Sequence, residues 1–521
     1  MRTLYGTILG AVGTILPLAP VLFVRTVLAA EPSLDVFIAV DAAASVGPIK
    51  LMNSVNNGPA VPPVLGDQLR GNFDAYKAAR IPMARLHDSV GCVSGGAHTV
   101  DIDKLFPDFD ADENEPKNYD FVFTDHYLNA IVCAGTKIFY RLGQSIEHGP
   151  KKYGVLPPKD YAKWARICEH VIRHYNEGWG WGFDTARTTC NVVFKNQFKI
   201  EYWEIWNEPD LDPVEDIEKN VSPRCWGGTV EEFFKFYETV AKHLKGKFPN
   251  LKIGGPAICG RFEWGERFLK HCRDTNAPLD FFSWHIYAVE PKTIADRCKR
   301  ARILMDKYGF EKSESILNEW NYIKGWVDDF VYSLNVGSGC FNQKAAAFIA
   351  ATMIDCQYVP LDHLMFYDAK ISSGLNSLFD KTTLWPMKGY YPFICWAKLI
   401  DAGTQIRVSV REGRGIKSQA ATGVVFDAAA HATNGQYRAV AAKGADGSVV
   451  IFLARYSENN NETDIGTASV SVAGLSLEKA RVHMTDAVRT HTEIPVLLKD
   501  DGSLKLSMMP NSFVVVELPA K

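Results

Sequence analysis

The chain changes its hydrophobic rhythm twice. Residues 33–49 open on Leu34-Asp35-Val36-Phe37-Ile38-Ala39-Val40, rich in β-branched and aromatic residues, and read as strand. From about Lys50, short apolar runs of strand length alternate with longer stretches of helical period. The runs are 51–55, 81–87, 137–142, 200–210, 253–257, 281–287, 315–321 and 363–368. The helical stretches are 67–79, 119–135, 158–177, one opening at Thr229, 265–277, 293–308, 342–357 and 389–400. Local signals agree with these limits: Thr229-Val230-Glu231-Glu232 fits a capping box, Pro158 sits early in its helix, and Gly178 stops it. After about Asp401, and most plainly over 437–519, short alternating strands are divided by turns such as Ala445-Asp446-Gly447-Ser448 and Asp500-Asp501-Gly502.

Strands alternating with helices predict an α/β fold, a (β/α)8 TIM barrel over 50–400. The later pattern predicts a β-sandwich over 401–521, which the strands of 31–49 are expected to join. A barrel of about 350 residues exceeds the ~250 usual for the architecture, so loops 88–118 and 178–197 are expected to hold the excess. The glycines of Ile253-Gly254-Gly255-Pro256-Ala257 are expected to let backbones approach closely.

Composition narrows the function classes. With 521 residues, 47% hydrophobic, the chain can bury a large core. A net charge of −3 gives no electrostatic reason to expect nucleic acid or an anionic membrane as partner. Arg2, the apolar run from about Ile8 to Val24 and the small residues Val27-Leu28-Ala29-Ala30 read as a signal peptide over 1–30, with cleavage before Glu31. Two prolines and Arg25 make that run a poor permanent anchor, so a secreted or periplasmic protein is expected, without stable membrane insertion after cleavage. Eleven cysteines lie between Cys92 and Cys395, none in CxxC spacing, and read mostly as small buried residues. Cys190 and Cys225 form one candidate disulfide, and Asn220-Val221-Ser222 and Asn461-Glu462-Thr463 fit the glycosylation sequon.

The chemistry concentrates in two stretches. Ile200-Glu201-Tyr202-Trp203-Glu204-Ile205-Trp206-Asn207-Glu208-Pro209-Asp210 starts as a strand and must stop near Pro209, which cannot donate to a ladder. Glu208 is thereby placed at the C-terminal tip of the fourth barrel strand. Alone, a Glu-Pro pair reads as a surface residue before a turn. A second tip of similar design, Ser315-Ile316-Leu317-Asn318-Glu319-Trp320-Asn321, ends the seventh strand. Tips of this kind face the active site of a barrel, and two facing carboxyls can cleave a glycosidic bond, one protonating the leaving oxygen and one compensating charge at the anomeric carbon. Glu204 shares the strand face of Glu208 but lies deeper, where a structural role is expected.

Trp206-Asn207-Glu208-Pro209-Asp210 resembles the acid/base motif of glycoside hydrolase family 39, the family of β-xylosidases and α-L-iduronidases. Asn318-Glu319-Trp320-Asn321 is similar to its nucleophile motif, Arg85-Leu86-His87 to its second-strand Arg-x-His, and His285-Ile286-Tyr287 to its sixth-strand His-x-Tyr. The resemblance spans roughly residues 40–520. It implies a retaining exo-glycosidase, most simply β-xylosidase-like, with a carbohydrate substrate and no metal or organic cofactor. It further implies Glu208 as acid/base and Glu319 as nucleophile. Asn207 would hold the sugar 2-hydroxyl, Arg85 keep Glu319 ionised, Tyr287 hydrogen-bond Glu319, and His87 and His285 bind sugar hydroxyls. Trp284 and Trp320 either floor the sugar subsite or belong to the core. Tyr367 is a further binding candidate at the eighth tip. Lys370 and Arg141 are the cations that an iduronidase-like enzyme would need for a uronate. An endo-acting exopolysaccharide hydrolase and a non-catalytic sugar-binding protein are the alternatives, the first distinguished by how loop 88–118 walls the site.

Overall fold

The eight short runs are the staves of one closed barrel in a computed structural model. The structure describes residues 35–59, 72–87, 98–149, 151–181, 198–212, 223–324, 341–371, 373–412 and 433–520. The signal-peptide segment, Cys190 and the Asn220 sequon lie outside them, as do 88–97 and 182–197 of the two long loops. Strand β1 is Asp35–Pro48. The barrel strands follow as β2 (Ser54–Asn56), β3 (Met83–Arg85), β4 (Lys137–Leu142), β5 (Tyr202–Ile205), β6 (Lys252–Ile258), β7 (Phe281–Ala288), β8 (Glu314–Tyr322) and β9 (His363–Phe366). All pair in parallel in that order, and β9 closes on β2. The differences from the expected limits are at the ends. The first stave begins at Ser54 rather than residue 51, and the fourth stops at Ile205 because Trp206 turns to a φ of 77°, outside extended backbone.

Barrel side chains stack in levels. Met83, Phe139, Tyr202, Phe281, Ile316 and Met365 form a closed apolar plug inside the barrel. Above it, towards the strand tips, the interior turns polar with Arg85, Glu204, Ser283 and Asn318, all fully buried. The outward-facing residues pack on the surrounding helices, among them Tyr161–Glu177 and Val230–Lys247. The capping box at Thr229 is formed, and Gly178 adopts the left-handed conformation that ends its helix. Gly254 and Gly255 are required where they stand: a Cβ would meet Phe281 O at 2.3 Å and Ile205 O at 2.8 Å. Among the described residues no helix is long and apolar enough to cross a membrane.

The rest of the chain forms one curled ten-stranded sheet, mostly antiparallel, around its own apolar core. Strand β1 sits inside this sheet, antiparallel to β10 (Thr404–Glu412) and parallel to β14 (Gly466–Val472). Strand β13 (Val449–Arg455) is buried on both faces: Val449, Ile451 and Leu453 point into the sheet's core, Val450, Phe452 and Ala454 onto the barrel's core cluster. Polar links cross the same junction. Arg438 pairs with Asp355 at 3.0 Å, and Glu458 receives Lys344 at 2.8 Å and the Tyr322 hydroxyl at 3.1 Å.

Candidate active site

Glu208 owes its position to a strained turn between two strand tips. Trp206 and Glu208 take φ of 77° and 46°, and Ala257, near the end of β6, takes 57°. Such values in non-glycine residues persist only where the surroundings over-determine them. Here they do. Trp206 N donates to Leu142 O, its indole donates to Cys225 O at 2.8 Å, and Glu208 N donates to Ala257 O at 2.9 Å. Two residues on, the buried Asp210 carboxylate accepts from Cys259 N at 2.8 Å, Arg261 N at 3.2 Å and the Cys259 thiol at 3.3 Å. Burial, with the charge of Glu208 as a further cause, pushes Asp210 up to about 7.

Glu319 reaches the same space through an irregularity in β8. Trp284 pairs with Leu317, but the next partners are His285 and Glu319, so Asn318 is one residue extra. The same slip appears against β9, where Leu317 pairs with Leu364 and Trp320 with Phe366. The bulge lets two consecutive side chains reach the interior. Asn318 donates down to Glu204, and Glu319 accepts from the Tyr287 hydroxyl at 2.6 Å. One carboxylate oxygen of Glu208 and one of Glu319 lie within 4.8 Å of each other, with His285 Nδ1 beside them, 2.7 Å from Glu208 and 3.5 Å from Glu319.

Arg85 ties the level together. Its guanidinium donates to Glu204 at 2.6 Å, Asn207 Oδ1 at 2.6 Å, Asn56 Oδ1 at 3.2 Å and Glu319 at 3.3 Å. Because Asn207 Oδ1 is taken by Arg85, its amide NH2 is the end left to meet a ligand. Glu204 is the anchor below, also accepting from the Ser283 hydroxyl at 2.6 Å. Burial pushes the Glu319 carboxyl above its usual range, while His285, Arg85 and the Tyr287 hydroxyl oppose that rise. Burial drives His285 down to about 4, so its imidazole is neutral at neutral pH. Burial and the nearby Glu319 charge raise the Tyr287 phenol, which stays a donor. Glu208, His285 and Glu319 are the described residues whose donor atoms could gather around a metal ion. The Arg85 guanidinium beside Glu319 already supplies positive charge there.

The remaining candidates divide. His87 Nε2 is 3.8 Å from Glu319, and its ring lies 5.6 Å from that of the half-buried Tyr367, so both line the same mouth. Trp284 and Trp320 do not. Phe281, Ser283, His285 and Tyr287 face inward, which turns Trp284 outward onto Phe262, and the bulge turns Trp320 outward against Phe348 and Phe366. Both indoles are fully buried, so the sugar-floor reading is corrected to core. Arg141 is buried, with Nη2 donating to Asp101 at 2.8 Å and to Ser145 at 3.1 Å, while its Nε and Nη1 meet no partner among the described residues. Lys370 is buried near the eighth tip, its backbone N–H donating to the Asp368 carboxylate. Sequence reasoning missed Asn56, Ser283, Asn318 and Asp210. The Asn56-Asn57 pair ending the first stave, and the parity of Ser283 with His285, were the available signals for two of them.

Residues 97–316 match the model of the family described as Glycosyl hydrolases family 39. A β-xylosidase of Geobacillus stearothermophilus is 28% identical over 219 residues, 40% of this chain and 38% of that enzyme. A β-xylosidase of Caldicellulosiruptor saccharolyticus is 27% identical over 181 residues, 33% of this chain and 32% of that enzyme. The matched stretch thus spans about a third of the length of these two curated relatives. Among solved structures, a glucosidase from Croceicoccus marinus is similar with a TM-score of 0.66 at 19% identity, over 94% of this chain and 100% of that one. A monomeric β-xylosidase from Caulobacter crescentus gives 0.61 at 15% identity, over 92% and 99%. At such identities the likeness concerns the fold.

Proposed function

Because residues 97–316 match the model of glycosyl hydrolases family 39, we propose that this chain is a member of that family and a retaining exo-glycoside hydrolase of the β-xylosidase kind, acting on oligo- or polysaccharides. The observation that carries the reading is the pair of carboxylates facing each other within 4.8 Å at the tips of β5 and β8. Retaining enzymes place their two carboxyls about 5–5.5 Å apart, whereas inverting enzymes leave about 6.5–9.5 Å for a water.

In the first step the Glu319 carboxylate attacks the anomeric carbon, and the C–O bond to the leaving group breaks as Glu208 gives that oxygen its proton. A glycosyl ester on Glu319 results. In the second step the Glu208 carboxylate takes a proton from water. The hydroxide attacks the same carbon, Glu319 leaves, and the configuration is restored. Arg85 and Tyr287, donating to Glu319, favour its ionised form before attack and its departure afterwards. The Asn207 amide supplies the donor for a 2-hydroxyl, whose hydrogen bond strengthens in the transition state. His87 and Tyr367 bound the subsite. The apolar N-terminal segment supports export through a signal peptide, which the N-terminal residue of the mature protein would test.

The decisive experiment is a panel of aryl glycosides with Glu208→Gln and Glu319→Gln alongside the wild type. Turnover of β-xyloside with retained anomeric configuration, lost by about 10²–10⁴-fold in Glu208→Gln on a poor leaving group, supports the proposal. Binding without turnover across the panel would favour a sugar-binding protein, and cleavage within a polymer would favour endo action.

A further inference from the structure

We propose that Cys298 and Cys356 are a modification site: in an oxidising compartment they close into a disulfide that staples together the two helices on either side of β8 in the chain. The bond is independent of the chemistry at Glu208 and Glu319.

Cys298 lies on the helix Pro291–Lys307 and Cys356 on the helix Gln343–Gln357. On the first helix the buried positions are Pro291, Ile294, Ala295, Cys298, Ala301 and Met305, a spacing of three and four that sets Cys298 in the inward stripe. Ala295 and Ala301, about one turn before and after it, leave room for the second helix to come close. The two thiols meet there in hydrogen-bond contact, both fully buried and both free thiols in the structure. The Lys50 ammonium, which donates to Val359 O at 2.7 Å, lies near enough to both sulfurs to interact with each, so a third segment places them together as well.

A single buried cysteine serves as a small apolar residue. Cys168, Cys272 and Cys395 do so, and among the described residues none of them has a second thiol beside it. Two sulfurs in contact differ, because rotation about their Cα–Cβ bonds is the motion that brings them to bonding distance. The oxidant is a disulfide, of a protein thiol oxidase or of glutathione. One cysteine loses its proton and attacks that disulfide, releasing one of its sulfurs as a thiol. The second cysteine loses its proton and displaces the other sulfur from the mixed disulfide. One S–S bond breaks and one forms, and two electrons and two protons end on the oxidant. Contact with Cys298, and then burial, push the folded Cys356 thiol well above its usual range, so the exchange belongs to the folding chain, before the helices pack. The loop closed from 298 to 356 contains all of β8, with Glu319 on it. Asp355, next to Cys356, pairs with Arg438 across the junction with the sheet, so the staple also fixes the helix on which the sheet is anchored. A loop of that length strongly restricts the unfolded chain.

The test produces the full chain in a disulfide-forming compartment and, in parallel, in a reducing cytosol. Each product is denatured, alkylated without reductant and digested for mass spectrometry, and a second portion is melted while native. The oxidised product is expected to yield a peptide carrying Cys298 linked to one carrying Cys356, and to melt about 3–6 °C above the reduced product. Cys298→Ala and Cys356→Ala are each expected to melt alike from both sources. Alkylation of both cysteines in the oxidised product, or their linkage to other cysteines, overturns the inference. So does a melting difference that is absent from the wild type or survives in the variants. Should one variant fail to fold, the other reports on the same bond, and the peptide map of the wild type needs neither.

Discussion

One guanidinium, Arg85, serves four oxygens on three other strands or their tips, and a point charge cannot replace it. Arg85→Lys is therefore expected to fold but to lose about 10²-fold in kcat/KM, as Asn207 and Glu319 lose their orientation. Arg85→Met should instead unfold the protein readily. It strands Glu204 as a buried uncompensated charge, a loss of about 3–5 kcal/mol that a denaturant titration would read. Two neighbouring groups give opposed pH effects on stability. His285, lowered from 6.5 to about 4, binds fewer protons folded than unfolded, so its contribution grows as pH rises from 4 to 6.5 and is lost as pH falls. Asp210, raised from 3.8 to about 7, binds more protons folded, so its contribution is present at low pH and lost as pH rises through the same window and on to 7. Each is worth roughly 3–4 kcal/mol at most, and they nearly cancel. Asp210→Asn should uncover the histidine, and its denaturation midpoint should rise from pH 4.5 to 6.5 more steeply than the wild type's.

At the scale of elements, β8 is where sequence and structure part. The tips themselves were legible, because Asn207-Glu208-Pro209 and Asn318-Glu319-Trp320 end apolar runs of strand length on the staves the barrel pattern had counted. The faces were not. With Ile316 inward, strict alternation would send Asn318 and Trp320 inward and Glu319 outward. The extra residue at Asn318 reverses the parity beyond it, and a bulge has no composition of its own from which to be read. Trp284 obeyed alternation and could have been assigned outward by its parity with Phe282. Asn56 escaped because the first stave is three residues long and starts later than its apolar run. Trp320→Ala is accordingly expected to cost about 3–5 kcal/mol of stability with KM unchanged at temperatures where the protein stays folded. A rise in KM would put the indole back in the sugar subsite.

At the scale of the molecule, the sheet and the barrel share a buried face and buried charges, so neither is an appendage of the other. Asp355→Ala would leave Arg438 buried without its carboxylate at that face, and a Tm several degrees lower by calorimetry is the expected result. A chain starting after Pro48 would expose the edges of β10 and β14, and should aggregate on size-exclusion chromatography. The place of β1 carries a further consequence for biogenesis. A ribosome releases this strand hundreds of residues before either partner, and the whole barrel is synthesised in between. The nascent strand must wait, unpaired and half apolar, until the last quarter of the chain emerges. Docking of this early strand between β10 and β14 therefore has to wait until both have been made, and chaperones that shield extended segments should matter most to this protein during that interval.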